Sequence, residues 1–153
     1  MGGASRGPRV AGYLRSLGVM STLRLIFSLR NSRGYVVGSG FANDDLKKLS
    51  PNAVALNLEG ARVDDDGILG LPVLHALRCL DLDSTKVTDK CLVAVARFPE
   101  LEELWLECTN ITDAGLRELH STRLKFVSVA YTGVTQEGVA SLARAVPGIE
   151  VST

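Results

Sequence analysis

Three groups of side chains have the type and spacing to do chemistry. His75 and Cys79 are separated by three residues, a spacing that zinc sites use, but no second pair follows at usable distance. Asp64, Asp65, Asp66 and Gly67 form a fragment like the start of a calcium loop. The spaced oxygen ligands and the terminal glutamate of a twelve-residue loop are missing. The three cysteines, Cys79, Cys91 and Cys108, are odd in number and lack Cys-x-x-Cys spacing, so they suit a reducing compartment better than a disulfide framework. His120 follows Leu119 near the end of an expected helix, where a cation is favoured. No Ser–His–Asp or Cys–His order stands out, and neither G-x-G-x-x-G nor a P-loop occurs. The expectation is a protein that is not an enzyme and carries no metal and no small-molecule cofactor.

A stronger pattern lies in the carboxylates and aromatics that alternate with leucine. "LEELWLECTNITDAGLREL" runs from Leu101 to Leu119, and "LRCLDLDSTKVTDKCLVAV" and "LKFVSVAYTGVTQEGVASL" repeat its phrasing. "VALNLEGARVDDDGILGL" is a looser copy. Leu58, Leu82, Leu106 and Val129 mark the period, with spacings of 24, 24 and 23 residues. In each line L-x-x-L-x-L alternates with period two, which predicts a short strand. A Thr-Asp pair then predicts a helix start, with Thr112 as cap and Asp113 at the positive helix end. "AGLREL" continues as helix with Leu116 and Leu119 inward. A small residue, Gly67, Gly115 or Gly138, recurs in one slot that Cys91 fills once, and it lets the helix lie close to the strand. No line can bury its apolar side alone. Stacked lines can, with a parallel sheet on one side and helices on the other. "YVVGSGFANDDLKKL" fits as a degraded first line, with Gly34 or Tyr35 where the strand wants leucine and Phe41 and Leu46 at later apolar positions. "IEV", Ile149 to Val151, begins a further strand.

These motifs resemble the leucine-rich-repeat family, in its roughly 24-residue T-x-[VI]-T-D-x-G-L-x-x-L form common in short bacterial proteins. The closing "LARAVPGIEV" is similar to the ending of such members. Gln136 in place of Asp and Cys91 in place of Gly depart from the motif. The resemblance covers about residues 35–151. It implies an α/β, right-handed solenoid of four to five repeats, with a concave parallel sheet and convex helices. It implies a binding scaffold and fixes no partner.

On that reading the residues between the strand leucines stand on the concave face. They include Asn57, Glu59, Asp81, Asp83, Glu103, Trp105, Glu107, Phe126 and Tyr131, with no base among them. The chain's only tryptophan, exposed and ringed by carboxylates, is the expected anchor for a basic protein partner. Nucleic acid is not expected there, because phosphate contacts need lysine or arginine. End-to-end self-association through the last strand is a further expectation.

Charge divides the chain. Residues 1–43 hold six arginines and no acid before Asp44, and the remainder holds 11 basic and 17 acidic residues. Hydrophobic residues make up 46%, enough for a packed core. Residues 1–33 are expected to be a basic tail and cap, and 34–153 the repeat domain. Arg15 and Arg24 interrupt the apolar run of residues 10–29, so no transmembrane helix or secretory signal is expected. The expected location is cytoplasmic. The alternative is an assembly-factor or F-box-like specificity subunit, with the arginine-rich segment as mitochondrial address or membrane tether, although no F-box-like leucine and proline pattern is visible in residues 1–40.

Overall fold

The computed structural model describes residues 34–153. The expected tail and cap, residues 1–33, lie outside them. Within this span six short strands are β1 (Tyr35–Val37), β2 (Ala55–Asn57), β3 (Cys79–Asp81), β4 (Glu103–Trp105), β5 (Phe126–Ser128) and β6 (Glu150–Ser152). They form one parallel sheet in chain order. Between them lie helices α1 (Asn43–Leu46), α2 (Asp65–Leu69), α3 (Asp89–Val95), α4 (Asp113–Leu116) and α5 (Gln136–Ala145). Each helix packs against the next. The stretch expected to continue α4 tightens instead into a 3-10 helix, Arg117–Ser121, which still buries Leu119.

The register never slips. Val36, Leu56, Leu80, Leu104, Val127 and Val151 are aligned across the sheet. This row, with Leu58, Leu82 and Leu106 two residues on, forms the main core together with Ile68, Leu92 and Leu116 from the helices. The first line is regular where it was expected to be degraded. Val36, not Gly34 or Tyr35, takes the leucine place. Gly38 stands where later lines have Leu58 or Leu82, because the Phe41 ring fills the space a side chain would need. Both end strands form, so the sheet is longer than four lines. No helix among the described residues is long and apolar enough to cross a membrane.

After β2, β3, β4 and β5 the chain turns through a left-handed residue: Gly60 (φ 67°), Ser84 (57°), Cys108 (54°) and Tyr131 (57°). Only the first is the glycine this conformation favours. The threonine that follows, Thr85, Thr109 or Thr132, fastens the turn by donating its hydroxyl to the carbonyl of Leu82, Leu106 or Val129.

The Thr-Asp pair does more than cap its own helix. Thr112 accepts from the amide of Ala114, which is the expected cap. Asp113, however, reaches forward to the next line and accepts both the amide and the hydroxyl of Thr135, at 2.8 and 2.7 Å. Asp89 holds Thr112 in the same way at 2.7 and 2.6 Å, and Asp65 holds Thr88 at the same two distances. Asn43 makes the first rung with Asp64, giving its amide and accepting the Asp64 N–H. Gln136 has no later cap to hold among the described residues. The ladder also corrects the reason for the small-residue slot. A methyl on Gly115 or Gly138 would strike the carboxylate of Asp89 or Asp113, and one on Gly67 would strike Asn43, rather than a strand.

The ladder gives a test by double-mutant cycle. Asp89→Ala should cost about 1–2 kcal/mol by freeing the amide and hydroxyl of Thr112. Gly115→Ala should cost about 1–3 kcal/mol by overpacking. The double variant should lose clearly less than the sum, because the added methyl then has room. Denaturant melts that add within about 0.3 kcal/mol would show that carboxylate and glycine are not coupled.

Candidate functional site

The sheet face turned away from the helices carries two rows of side chains. Tyr35, Ala55, Cys79, Glu103, Phe126 and Glu150 are aligned in one, and Val37, Asn57, Asp81, Trp105, Ser128 and Ser152 in the other. Strand alternation puts both rows on this side, because the leucine row between them faces the core. All nine residues expected here are found on this face or at its rim. Their exposure is where expectation fails.

Trp105 is not an exposed anchor. It is 2% exposed, Phe126 0%, Glu103 1% and Asp81 8%. The Trp105 and Phe126 rings pack with centroids 4.8 Å apart, and Ala55 and Cys79 complete a second, smaller apolar cluster flanked by Tyr35 and Val54. The face therefore has a buried floor and an open rim. At the rim Glu59 is exposed, Asp83 and Glu107 are half-buried, and Tyr131 is 76% exposed.

The carboxylates are held in place by hydrogen bonds from backbone and side chains. Asn57 donates its amide to Asp81 and accepts from the Glu59 N–H. Asp81 accepts from the Asp83 N–H, and Asp83 from the Glu107 N–H. Ser128, fully buried, donates to Glu107. Burial pushes the carboxyls of Asp81 and Asp83 well above the usual range, and the repulsion between them and from Glu59 and Glu107 adds to it. Burial likewise raises Glu103 to about 7. The Cys79 thiol and Trp105 indole lie near enough to pull it partly back. Even so, among the described residues neither Glu103 Oε2 nor Trp105 Nε1 has a hydrogen-bond partner. Burial raises the Cys79 thiol strongly, so it is no ready nucleophile or metal ligand. Cys91 is pushed up to about 12 for the same reason.

The other chemical candidates are drawn into structure or apart. Asp64 caps α2 by accepting from the amides of Asp66 and Gly67. His75 is exposed while Cys79 belongs to the buried floor. His120 binds the Arg117 carbonyl through Nδ1 at 2.6 Å. One charged row escaped sequence reasoning. Glu102 accepts from Arg78 at 2.7 Å and from Lys125 at 2.7 Å, one line before and one line after it. Burial acts to raise the Glu102 carboxyl, but these two partners outweigh it and hold the group low. The alternation Arg78, Glu102, Lys125 at the repeat period was the available signal.

No family model matches the sequence. Over 107 residues the chain is 36% identical to a Trypanosoma equiperdum protein named "Putative adenylate cyclase regulatory protein". The alignment takes in 70% of this chain and 16% of that relative. The chain thus spans a small part of the relative's length.

The buried carboxyl of Glu103 sets a pH dependence. Its folded pKa lies above its ordinary 4.5, at about 7, so the folded state keeps the proton longer than the unfolded chain. Stability should therefore fall as pH rises through this window and level off above it. Glu103→Gln should remove this share and gain on the parent between pH 4.5 and about 7, by on the order of 2–3 kcal/mol. Parallel melting profiles for parent and variant across that range would refute it.

Proposed function

We propose that this chain is a leucine-rich-repeat solenoid that acts as a non-catalytic regulatory or recognition module, binding a basic protein partner through the acidic rim of its sheet face. One observation carries the reading. Glu59, Asp83 and Glu107 end the exposed side of β2, β3 and β4 in successive lines, Ala130 takes that place after β5 with the exposed Tyr131 next to it, and no lysine or arginine interrupts the row. A row of like charge at a sheet rim attracts and orients an oppositely charged polypeptide. Tyr131 supplies the amphipathic contact surface that interfaces favour. Trp105, Phe126, Glu103 and Asp81 support the rim from the floor rather than meeting a partner first.

Two further observations agree. The chain repeats one strand–helix unit with constant register, an architecture in which each unit contacts its neighbours and leaves an extended surface. The relative's name is that of a regulatory protein, and a regulatory role suits a binding surface.

The test is titration calorimetry with a short arginine-rich peptide against the parent and an Asp83→Lys, Glu107→Lys, Tyr131→Ala variant that keeps a cooperative melt. The parent should bind at low salt, weaken as salt rises, and bind at least about tenfold more tightly than the variant. Equal affinity for both would move the binding surface elsewhere.

A further inference from the structure

The last described line of the stack differs from the inner ones in what covers it. Ile111, Leu116 and Val127 are buried. Val134, Val139 and Val151 hold the same slots one line later and are only half-buried. The backbone opens in the same direction. β6 is the outermost strand of the described sheet. Glu150 and Ser152 turn their backbone groups to β5: the Glu150 N–H donates to the Lys125 carbonyl, and the Ser152 carbonyl accepts from the Val129 N–H, both at 2.8 Å. Alternation therefore turns the N–H and carbonyl of Val151, between them, to the outer edge. Such an edge is a template for a further strand. α5 presents a matching side. Gly138 lies against Asp113 of the line before, so the helical repeat turns Gln136, Ala140 and Ala143 the other way, toward the open end.

We propose that two copies of the chain join through this end of the stack, about a two-fold axis beside Val151. Three features favour a second copy. The first is the backbone. An axis normal to the sheet sets β6 antiparallel to its counterpart, and Val151 then exchanges both backbone hydrogen bonds with Val151 of the other copy, as in the bonded pair of an antiparallel ladder. The second is the helix side. The same axis lays α5 antiparallel to its counterpart, and the small Ala140 and Ala143 let the two helices approach closely. The third is charge. Val134, Gln136, Val139, Ala140, Ala143 and Val151 include no ionisable side chain, so the contact strips no charge of its water. At its border Arg144 binds Glu137 of its own helix at 3.0 Å, with both groups exposed. Antiparallel helices bring Arg144 of each copy toward Glu137 of the other, opposite in sign. Because one surface is used twice, the contact closes as a dimer, whereas stacking onto β1 would run on as a filament.

This inference does not rest on the proposed function. It uses no residue of the acidic rim, and it would join two such sheets into one.

The test is sedimentation velocity on the full chain between about 1 and 100 µM, a range that catches a small interface. The parent should pass reversibly from one chain to two and form nothing larger. Val151→Pro removes the N–H at the outer edge and leaves the bonds of Glu150 and Ser152 to β5, a place where edge strands admit proline. Ala143→Lys puts a charge into the helix contact without touching the strand. Each variant should keep a cooperative melt and weaken the dimer at least about tenfold. If Val151→Pro fails to fold, Ala143→Lys, at an exposed position, decides alone. A parent that stays monomeric over the whole range overturns the proposal. So does a dimer of unchanged affinity in the folded variants, or a mass that keeps growing with concentration. No peptide is added, so failure here is distinct from failure of the calorimetric test.

Discussion

The stacking of the lines depends on one paired interaction. An aspartate in the first turn of a helix accepts two hydrogen bonds from the threonine that opens the next helix, as Asp65 does for Thr88, Asp89 for Thr112 and Asp113 for Thr135. The amide and the hydroxyl of one residue meet the two oxygens of one carboxylate, so both distance and orientation are fixed. A charged acceptor makes such bonds stronger than neutral ones. The Asp113 carboxyl is held below its usual range by the amide and hydroxyl of Thr135. Helices of four to seven residues have little stability of their own. Tying each start to the preceding one sets where α2, α3 and α4 lie.

From that fixed helix row the rest of the geometry follows. The strands keep one register over six lines, so chemistry at a given place in the repeat is summed into a row. Leucines sum into the core. Arg78, Glu102 and Lys125 sum into an ion-paired row whose carboxylate satisfies both cations. The residues between the leucines sum into a face rich in carboxylates. Repetition is what concentrates them, since each line contributes only two or three side chains there.

That concentration is unfavourable for folding. Asp81, Asp83 and Glu103 resist ionisation because burial removes water and their neighbours have the same sign. A cationic polypeptide laid on the rim would relieve the repulsion among them.

Much of this was legible in the residues alone. Period, strand and helix order, the leucine core and membership of the sheet face all follow from local rules: alternation for strands, a cap for helices, and one repeated length. Asn57, Glu59, Asp83 and Glu107 could be placed from spacing, because the side on which a strand residue points is decided by its parity, whereas Tyr131 stands at the turn that follows β5. Three things needed the tertiary structure, each because it involves residues a full line apart. The grip of Asp89 on Thr112 and the need for Gly115 beside it depend on how one line lies against the next. The packing of Trp105 against Phe126 and of Glu103 beside Cys79 depends on neighbours from adjacent strands, and alternation sets a side chain's direction but not what it meets. The raised carboxyls depend on like charges that are distant in sequence and adjacent across strands, where burial makes each one costly to ionise.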